Sequence, residues 1–122
     1  MRAVLIAISL ACFGASNCGA ADKPVDRALA SLRSRNDVAF TDRGGWIVVT
    51  EANGLTIWSF TPATHPANPA YVKRWLYQKG GAWYVGMQTQ CGAPKSVCDA
   101  LVAEFTLLNE QMRKSIEASH ER

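Results

Sequence analysis

The chain has 122 residues, with 13 Lys and Arg, 10 Asp and Glu, and a net charge of +3. This length fits a single domain. The small positive charge excludes a nucleic-acid-binding protein of the usual kind, which presents a clustered basic face.

The N-terminus has the pattern of a secretory signal peptide. Arg2 supplies a positive charge, residues 3–15 are almost entirely apolar, and small residues follow at positions 18–21. The apolar run of roughly 13 residues suits such a signal, whereas a transmembrane helix needs about 20. We therefore expect cleavage after Ala20, or nearly as well after Ala21. The product would be an exported, periplasmic or secreted protein without a transmembrane segment.

Two cysteines within this signal, residues 1–20, raise the alternative of a lipid anchor. Bacterial lipoprotein signals place a leucine three residues before the lipid-bearing cysteine. Leu10 stands too close to Cys12, and no leucine stands at that distance before Cys18. We therefore expect a soluble mature domain that covers residues 21–122. A lipoprotein and a retained N-terminal helix are the less favoured alternatives.

Removal of the signal leaves only Cys91 and Cys98. A remaining pair in an oxidising compartment predicts a disulfide. The cysteines are seven positions apart, a spacing that fits neither a redox motif nor a zinc site. The two histidines, His65 and His120, add too few ligands for a metal site. We expect a structural bridge and no metal or cofactor.

The first half of the domain predicts a helix followed by a β-hairpin. An amphipathic pattern covers Asp22–Arg35, with Pro24 suited to a first helical turn. A period of two follows, with a short strand at Val38–Phe40 and a β-branched strand at Trp46–Glu51. Asn53-Gly54 then predicts a tight turn into a strand at 55–60.

This turn sets the expected register of the first hairpin. Two loop residues at Asn53-Gly54 place Val49 opposite Trp58 and Ile47 opposite Phe60. Aromatic and β-branched pairs of this kind stabilise a sheet. We therefore expect these four side chains to lie on a core face.

The middle of the domain is less determined. Residues 61–69 contain three X-Pro steps and predict a stiff surface connection. Residues 70–79 fit either a strand or a helix that begins at Pro69. The strand is favoured by aromatic and β-branched content, and it would pair with residues 82–90 across a turn at Gly80-Gly81.

The C-terminal part predicts a long helix. Ser96 is a suitable N-cap with Asp99 three residues later. Apolar residues then recur at helical spacing, namely Val97, Leu101, Phe105, Leu108 and Met112. We expect this helix to pack on the sheet, to be tied to it by the disulfide, and to fray from Ser119. The expected fold is α+β: an N-terminal helix, an antiparallel meander of four to five strands and the C-terminal amphipathic helix.

The second hairpin offers a candidate binding surface. One of its faces would carry Val72, Leu76 and Val85 toward the core. The other would carry large aromatics with polar tips, a cation and an amide, namely Lys73, Trp75, Tyr77, Tyr84 and Gln88. Such aromatics dominate many binding sites. The alternative is that the N-terminal helix covers this face and the aromatics are core residues.

A catalytic site is not indicated by any motif. His65 lies in an irregular loop, and histidine often serves as a general base in catalysis, so it joins the candidate residues as a possible base beside a carboxylate. The leading hypothesis is a non-enzymatic binding protein of the bacterial envelope. Its partner would be another envelope protein or a wall component, and it could act as an inhibitor or assembly factor. The alternatives are a small periplasmic enzyme or accessory that uses His65, and a scaffold that dimerises through its C-terminal helix.

Overall fold

The computed structural model describes residues 23–120, which form a five-stranded antiparallel sheet between two helices. The elements in chain order are α1 (Pro24–Arg33), β1 (Val38–Arg43), β2 (Trp46–Glu51), β3 (Thr56–Phe60), β4 (Ala70–Lys79), β5 (Ala82–Cys91) and α2 (Lys95–His120). The strands follow one another across the sheet in chain order. The predicted α+β meander with a long C-terminal helix is thus confirmed. The proposed signal peptide, its cleavage sites and both lipidation candidates lie outside the described residues.

The register predicted for the first hairpin is confirmed. Val49 pairs with Trp58 and Ile47 with Phe60. The turn itself is wider than two residues, because the Asn53 side-chain oxygen accepts hydrogen bonds from the Leu55 and Thr56 amides. Within this loop, residues 52–55, only Gly54 has a positive φ.

Residues 70–79 form strand β4, so the helical alternative is wrong. Gly80 and Gly81 have φ values of 58° and 80°, which suit a tight two-residue hairpin turn. The turn aligns ten residue pairs from Ala70–Cys91 to Lys79–Ala82. The side chains of β4 and β5 therefore alternate between the two faces of the sheet.

The sheet has a hydrophobic core on each face. On the first face, Val25 and Leu32 of α1 pack against Val49, Phe60 and Tyr71; we call this the α1 face. On the opposite face, α2 packs over β4 and β5; we call this the α2 face. The buried residues of this second core are Ala67, Ala70, Val72, Leu101 and Phe105.

A charged side chain lies within the second core. The Arg74 guanidinium stands 4.9 Å from the centre of the Phe105 ring, and its Nη1 donates a long hydrogen bond of 3.4 Å to Asn109. Its buried Nε has no hydrogen-bond partner among residues 23–120. Burial lowers the pKa of this guanidinium, because a low-dielectric environment disfavours the charged form.

The proline-rich segment 61–69 is only partly a surface connection. Ala67 is fully buried, and the Thr61 hydroxyl accepts hydrogen bonds from the Ala70 amide and from the Asn68 side chain. The surface prediction fails at these positions because the segment satisfies its polar groups internally, which lets its ends enter the core.

Helix α2 begins two residues earlier than predicted, since an N-cap at Ser96 would make Val97 the first helical residue. It starts at Lys95, and the Pro94 carbonyl accepts hydrogen bonds from the Val97 and Cys98 amides. The predicted N-cap at Ser96 is therefore wrong, since Ser96 lies inside the first turn. Proline suits this boundary because its fixed φ is compatible with entry into a helix.

The predicted disulfide is present. The Cα atoms of Cys91, the last residue of β5, and Cys98, in the first turn of α2, are 5.9 Å apart and their sulfurs are bonded. Cys91 also packs against the second core. The bridge therefore joins the end of the sheet directly to the start of the helix that covers it.

Candidate functional site

Part of the α1 face is left uncovered by α1. Beyond Tyr71, the strands β4 and β5 continue toward the hairpin turn, and the candidate side chains of the second hairpin lie there together. We call this surface the aromatic face; it consists of Lys73, Trp75, Tyr77, Tyr84 and Gln88. Their register is as predicted, with Lys73 opposite Gln88 and Tyr77 opposite Tyr84. The structure thus brings all five residues to one surface that α1 does not enclose.

Trp75 lies flat across the edge of the sheet because its cross-strand neighbour is a glycine. A Cβ atom placed on Gly86 would come within 2.2 Å of the Trp75 ring, which is too close for carbon atoms that are not bonded to each other. Gly86 therefore has a packing role, which is to leave room for the indole. The Trp75 side chain is half-buried, so part of an indole that rests on the Gly86 backbone remains accessible to a ligand.

Lys73 is flanked by two indoles. Its ammonium nitrogen lies 4.7 Å from the centre of the Trp58 ring and 5.9 Å from that of Trp75. Both distances lie within the range of attraction between a cation and an aromatic ring. Within residues 23–120 this ammonium donates no hydrogen bond, so its three N–H donors remain free to contact a ligand.

A carboxylate network borders this cation. Glu51 accepts a 3.0 Å hydrogen bond from the Trp58 indole N–H. It also forms an ion pair with Arg35 at 2.9 Å. The hydrogen bond from Trp58 is the largest cause of a lowered pKa at Glu51, followed by the contacts with Arg35. The positive charge of Lys73 lowers this pKa further. Because the Trp58 N–H is occupied, Trp58 has a structural role, whereas the Trp75 N–H forms no hydrogen bond within the described part of the chain.

A shallow groove of about 370 Å³ runs along the aromatic face. It is lined by Asn53, Leu55, Thr56, Lys73, Trp75, Leu76 and Gln88. Asn53 and Thr56 come from the loop and strand next to β4 in the sheet. Sequence reasoning missed these residues, together with Trp58 and Glu51, because their position beside Lys73 depends on the pairing of β3 with β4.

The two tyrosines extend the face toward the hairpin turn. Tyr77 and Tyr84 stack with ring centres 5.5 Å apart and an interplanar angle of 23°. They are 41% and 39% exposed, which is high for side chains of this size. Their stacking holds two aromatic surfaces in a fixed position beside Trp75.

His65 lies apart from the aromatic face. Its ring contacts Trp46 at 5.1 Å in an edge-on arrangement, and Trp46 belongs to the core of the α2 face. Its Nδ1 accepts a hydrogen bond from the Ala67 amide. Between residues 23 and 120, no Asp or Glu forms a hydrogen bond or ion pair with this imidazole. The described chain thus shows His65 as a loop-stabilising residue.

Two further features bear on the class of site. Within the described range, no group of three His, Cys, Asp or Glu residues is placed to hold a metal ion. Neither helix of that same range has an apolar stretch long enough to cross a bilayer.

Comparison with protein-family models, curated proteins and solved structures gives no significant match to this chain.

Proposed function

We propose that this chain is an exported, non-enzymatic binding protein of the bacterial envelope that captures its partner on the aromatic face. The observation that carries the proposal is the position of the Trp75 side chain over Gly86. A large indole is held flat over Gly86, remains half-exposed and adjoins a groove. A residue needed only for packing would gain more free energy by full burial.

Two features support the proposed location. The N-terminal segment has the proportions of a secretory signal, and the Cys91–Cys98 bond fits an oxidising compartment. The mass of the mature protein tests both features. We expect a chain that starts near residue 21 and is about two hydrogens lighter than its reduced form. An uncleaved chain would contradict export, and a chain that carries a lipid would contradict the soluble form that the sequence favours.

The binding role is tested by replacing Trp75 and Tyr84 together with alanine. The wild-type chain, immobilised in mature form, should retain a specific envelope component, and the double variant should lose it. Phe40→Ala is the matched control, because Phe40 is 39% exposed like Tyr84 but lies on the far edge strand β1. This control should bind as the wild type does.

Folding of the variants is checked by circular dichroism and thermal unfolding. The single variant Tyr84→Ala removes an exposed ring and leaves Trp75 and Gly86 unchanged. It therefore keeps the test valid if the double variant unfolds. Equal retention of the same component by the wild type, Tyr84→Ala and the folded double variant would refute the aromatic face as the binding surface.

A second candidate function is a scaffold that dimerises through α2. Its support is Leu107, which is 68% exposed, with Leu108 beside it at 40%. Light scattering of the wild type and of Leu107→Lys would test it. A dimer in the wild type and a monomer in the variant would favour this function.

A further inference from the structure

We propose that the ligand of the aromatic face is a saccharide that carries a carboxylate, with a sugar ring stacked on Trp75 and the carboxylate on Lys73. The inference rests on the proposed binding function and names its ligand class. Three features of the groove support it: the geometry of the indole, the mixture of free polar groups and the placement of the charge.

The accessible part of the Trp75 indole is suited to a sugar ring whose carboxylate reaches the adjacent Lys73 ammonium, 5.9 Å from the ring centre. A pyranose has one side of C–H bonds, and these are attracted to the negative face of an aromatic ring. The indole is fixed over Gly86, so little side-chain entropy is lost when a ring stacks on it. Trp58 does not offer the same surface, because its ring packs against Phe60 and Tyr71 of the first core.

The rim of the groove provides both hydrogen-bond donors and acceptors, as the hydroxyl groups of a sugar require. The Asn53 oxygen is used within its own loop, which leaves its amide N–H groups to donate. The Gln88 amide is exposed and can both donate and accept. The groove of about 370 Å³ lies at the lower end of the range for small-molecule sites, which suits a short saccharide.

The charges of the groove favour one carboxylate. The Lys73 ammonium is held by two rings, with no acceptor bonded to it among residues 23–120, whereas the neighbouring Glu51 is already engaged by Trp58 and Arg35. A charge-assisted hydrogen bond to Lys73 would satisfy its free donors. A single cation beside a carboxylate does not suit a nucleic-acid backbone, which needs several cations along a track.

The test compares two disaccharides that differ only in a carboxylate arm. One is N-acetylglucosaminyl-N-acetylmuramic acid with a free lactyl carboxylate, and the other is N,N′-diacetylchitobiose (chitobiose below), which lacks the lactyl group. A dimer of galacturonic acid carries its carboxylates on the rings and distinguishes a uronic-acid polymer from a wall glycan as the source. Each is titrated into the mature protein up to about 10 mM, with the indole N–H signals followed by NMR.

We expect saturable binding of at least one acidic disaccharide, with a shift of the Trp75 indole signal, and at least about fivefold weaker binding of chitobiose. Trp75→Ala should weaken binding at least about tenfold. Gly86→Val should do the same while keeping every contacting side chain, because the new Cβ displaces the indole. Lys73→Met should bind the acidic disaccharide and chitobiose with about equal affinity. Lys79→Met, at the end of the same strand, should keep the wild-type preference for the acidic disaccharide.

Several results would overturn the inference. Equal binding of chitobiose and both acidic sugars would exclude the carboxylate contact at Lys73, and unchanged binding by Trp75→Ala would exclude stacking. If neither acidic disaccharide binds while the Trp75 and Tyr84 variant still loses its envelope component, the ligand class is wrong and the proposed binding function stands. Loss of the component by the Phe40→Ala control as well would instead count against the binding function itself.

Discussion

Replacing Cys91 and Cys98 together with alanine should lower the free energy of unfolding by about 2.5 kcal/mol. The bridge spans a sequence separation of seven, so it closes a loop of about eight residues. The chain-entropy relation for a loop of that size gives the stated value. Alanine retains the Cβ atom of each residue, and Cys91 is only half-buried, so the loss of packing is small beside the loss of the cross-link. For a domain of this size the melting temperature should fall by roughly 10–20 °C.

Urea unfolding of the mature protein at 25 °C measures the effect. The variant should have a lower midpoint and a somewhat larger m-value, because its unfolded chain is less compact. Addition of a reductant to the wild type should reproduce the loss, and the same reductant should leave the variant unchanged. A loss below about 1 kcal/mol would refute this reasoning. It would mean that Leu101 and Phe105 hold α2 on the sheet without the cross-link.

Two further substitutions test the polar groups of the two cores. Arg74→Met should raise the free energy of unfolding by about 1 kcal/mol, as measured by urea titration. Methionine removes the buried Nε that has no hydrogen-bond partner within residues 23–120, and this gain exceeds the lost attraction between the guanidinium and Phe105. A decrease of similar size in the free energy of unfolding would contradict the prediction. Glu51→Gln should lower stability at pH 7 by about 1 kcal/mol. Because Trp58 and Arg35 hold the Glu51 pKa below its ordinary value, the wild type has this contribution above the unfolded-state pKa and loses it as pH falls through the folded-state pKa. The variant should therefore lose less stability between about pH 5 and pH 3, and parallel pH profiles would refute the assignment.

The hairpins could be predicted from the sequence because their signals are local. Gly80-Gly81 sets the turn between β4 and β5, and the register of ten pairs follows from that one turn. Asn53-Gly54 set the register of β2 and β3 in the same way, even though the loop is wider than predicted. In both hairpins the alternation of side chains then determines which residues share a face.

The relation between the two hairpins could not be predicted, because β3 and β4 are joined by the irregular segment 61–69. Trp58 was expected on a core face and Lys73 on an open face, yet they are direct cross-strand partners on the same face. That pairing brings Trp58 and Glu51 to the candidate site. No turn of defined geometry specifies it, and it depends on tertiary packing such as the burial of Ala67.

The course of the two helices explains why the aromatic face is open. Helix α1 begins beside Gln90 and Gly92 at the end of β5 and ends near β1, where the Arg33 guanidinium lies over the Phe40 ring. It therefore crosses the strands away from the Gly80-Gly81 turn and leaves the part of β4 and β5 that leads to this turn uncovered. Helix α2 has 26 residues and, at about 39 Å, is long enough to reach the hairpin turn on the opposite face.

The end of α2 provides a last test of this geometry. The sequence predicts fraying from Ser119. In the structure the helix includes His120, whose ring stacks on Trp83 at 5.9 Å with an interplanar angle of 9°. An aromatic pair contributes about 0.5–1.5 kcal/mol, which corresponds to roughly twofold to thirteenfold in local opening. His120→Ala should therefore accelerate amide exchange in the last helical turn by that factor, without a matching change at Leu101. Ser119→Ala, which removes only a bond from its hydroxyl to the Ser115 carbonyl, is the control. Equal exchange in the wild type and His120→Ala would mean that the stack on Trp83 does not hold the helix end, and the fraying predicted from the sequence would then be right.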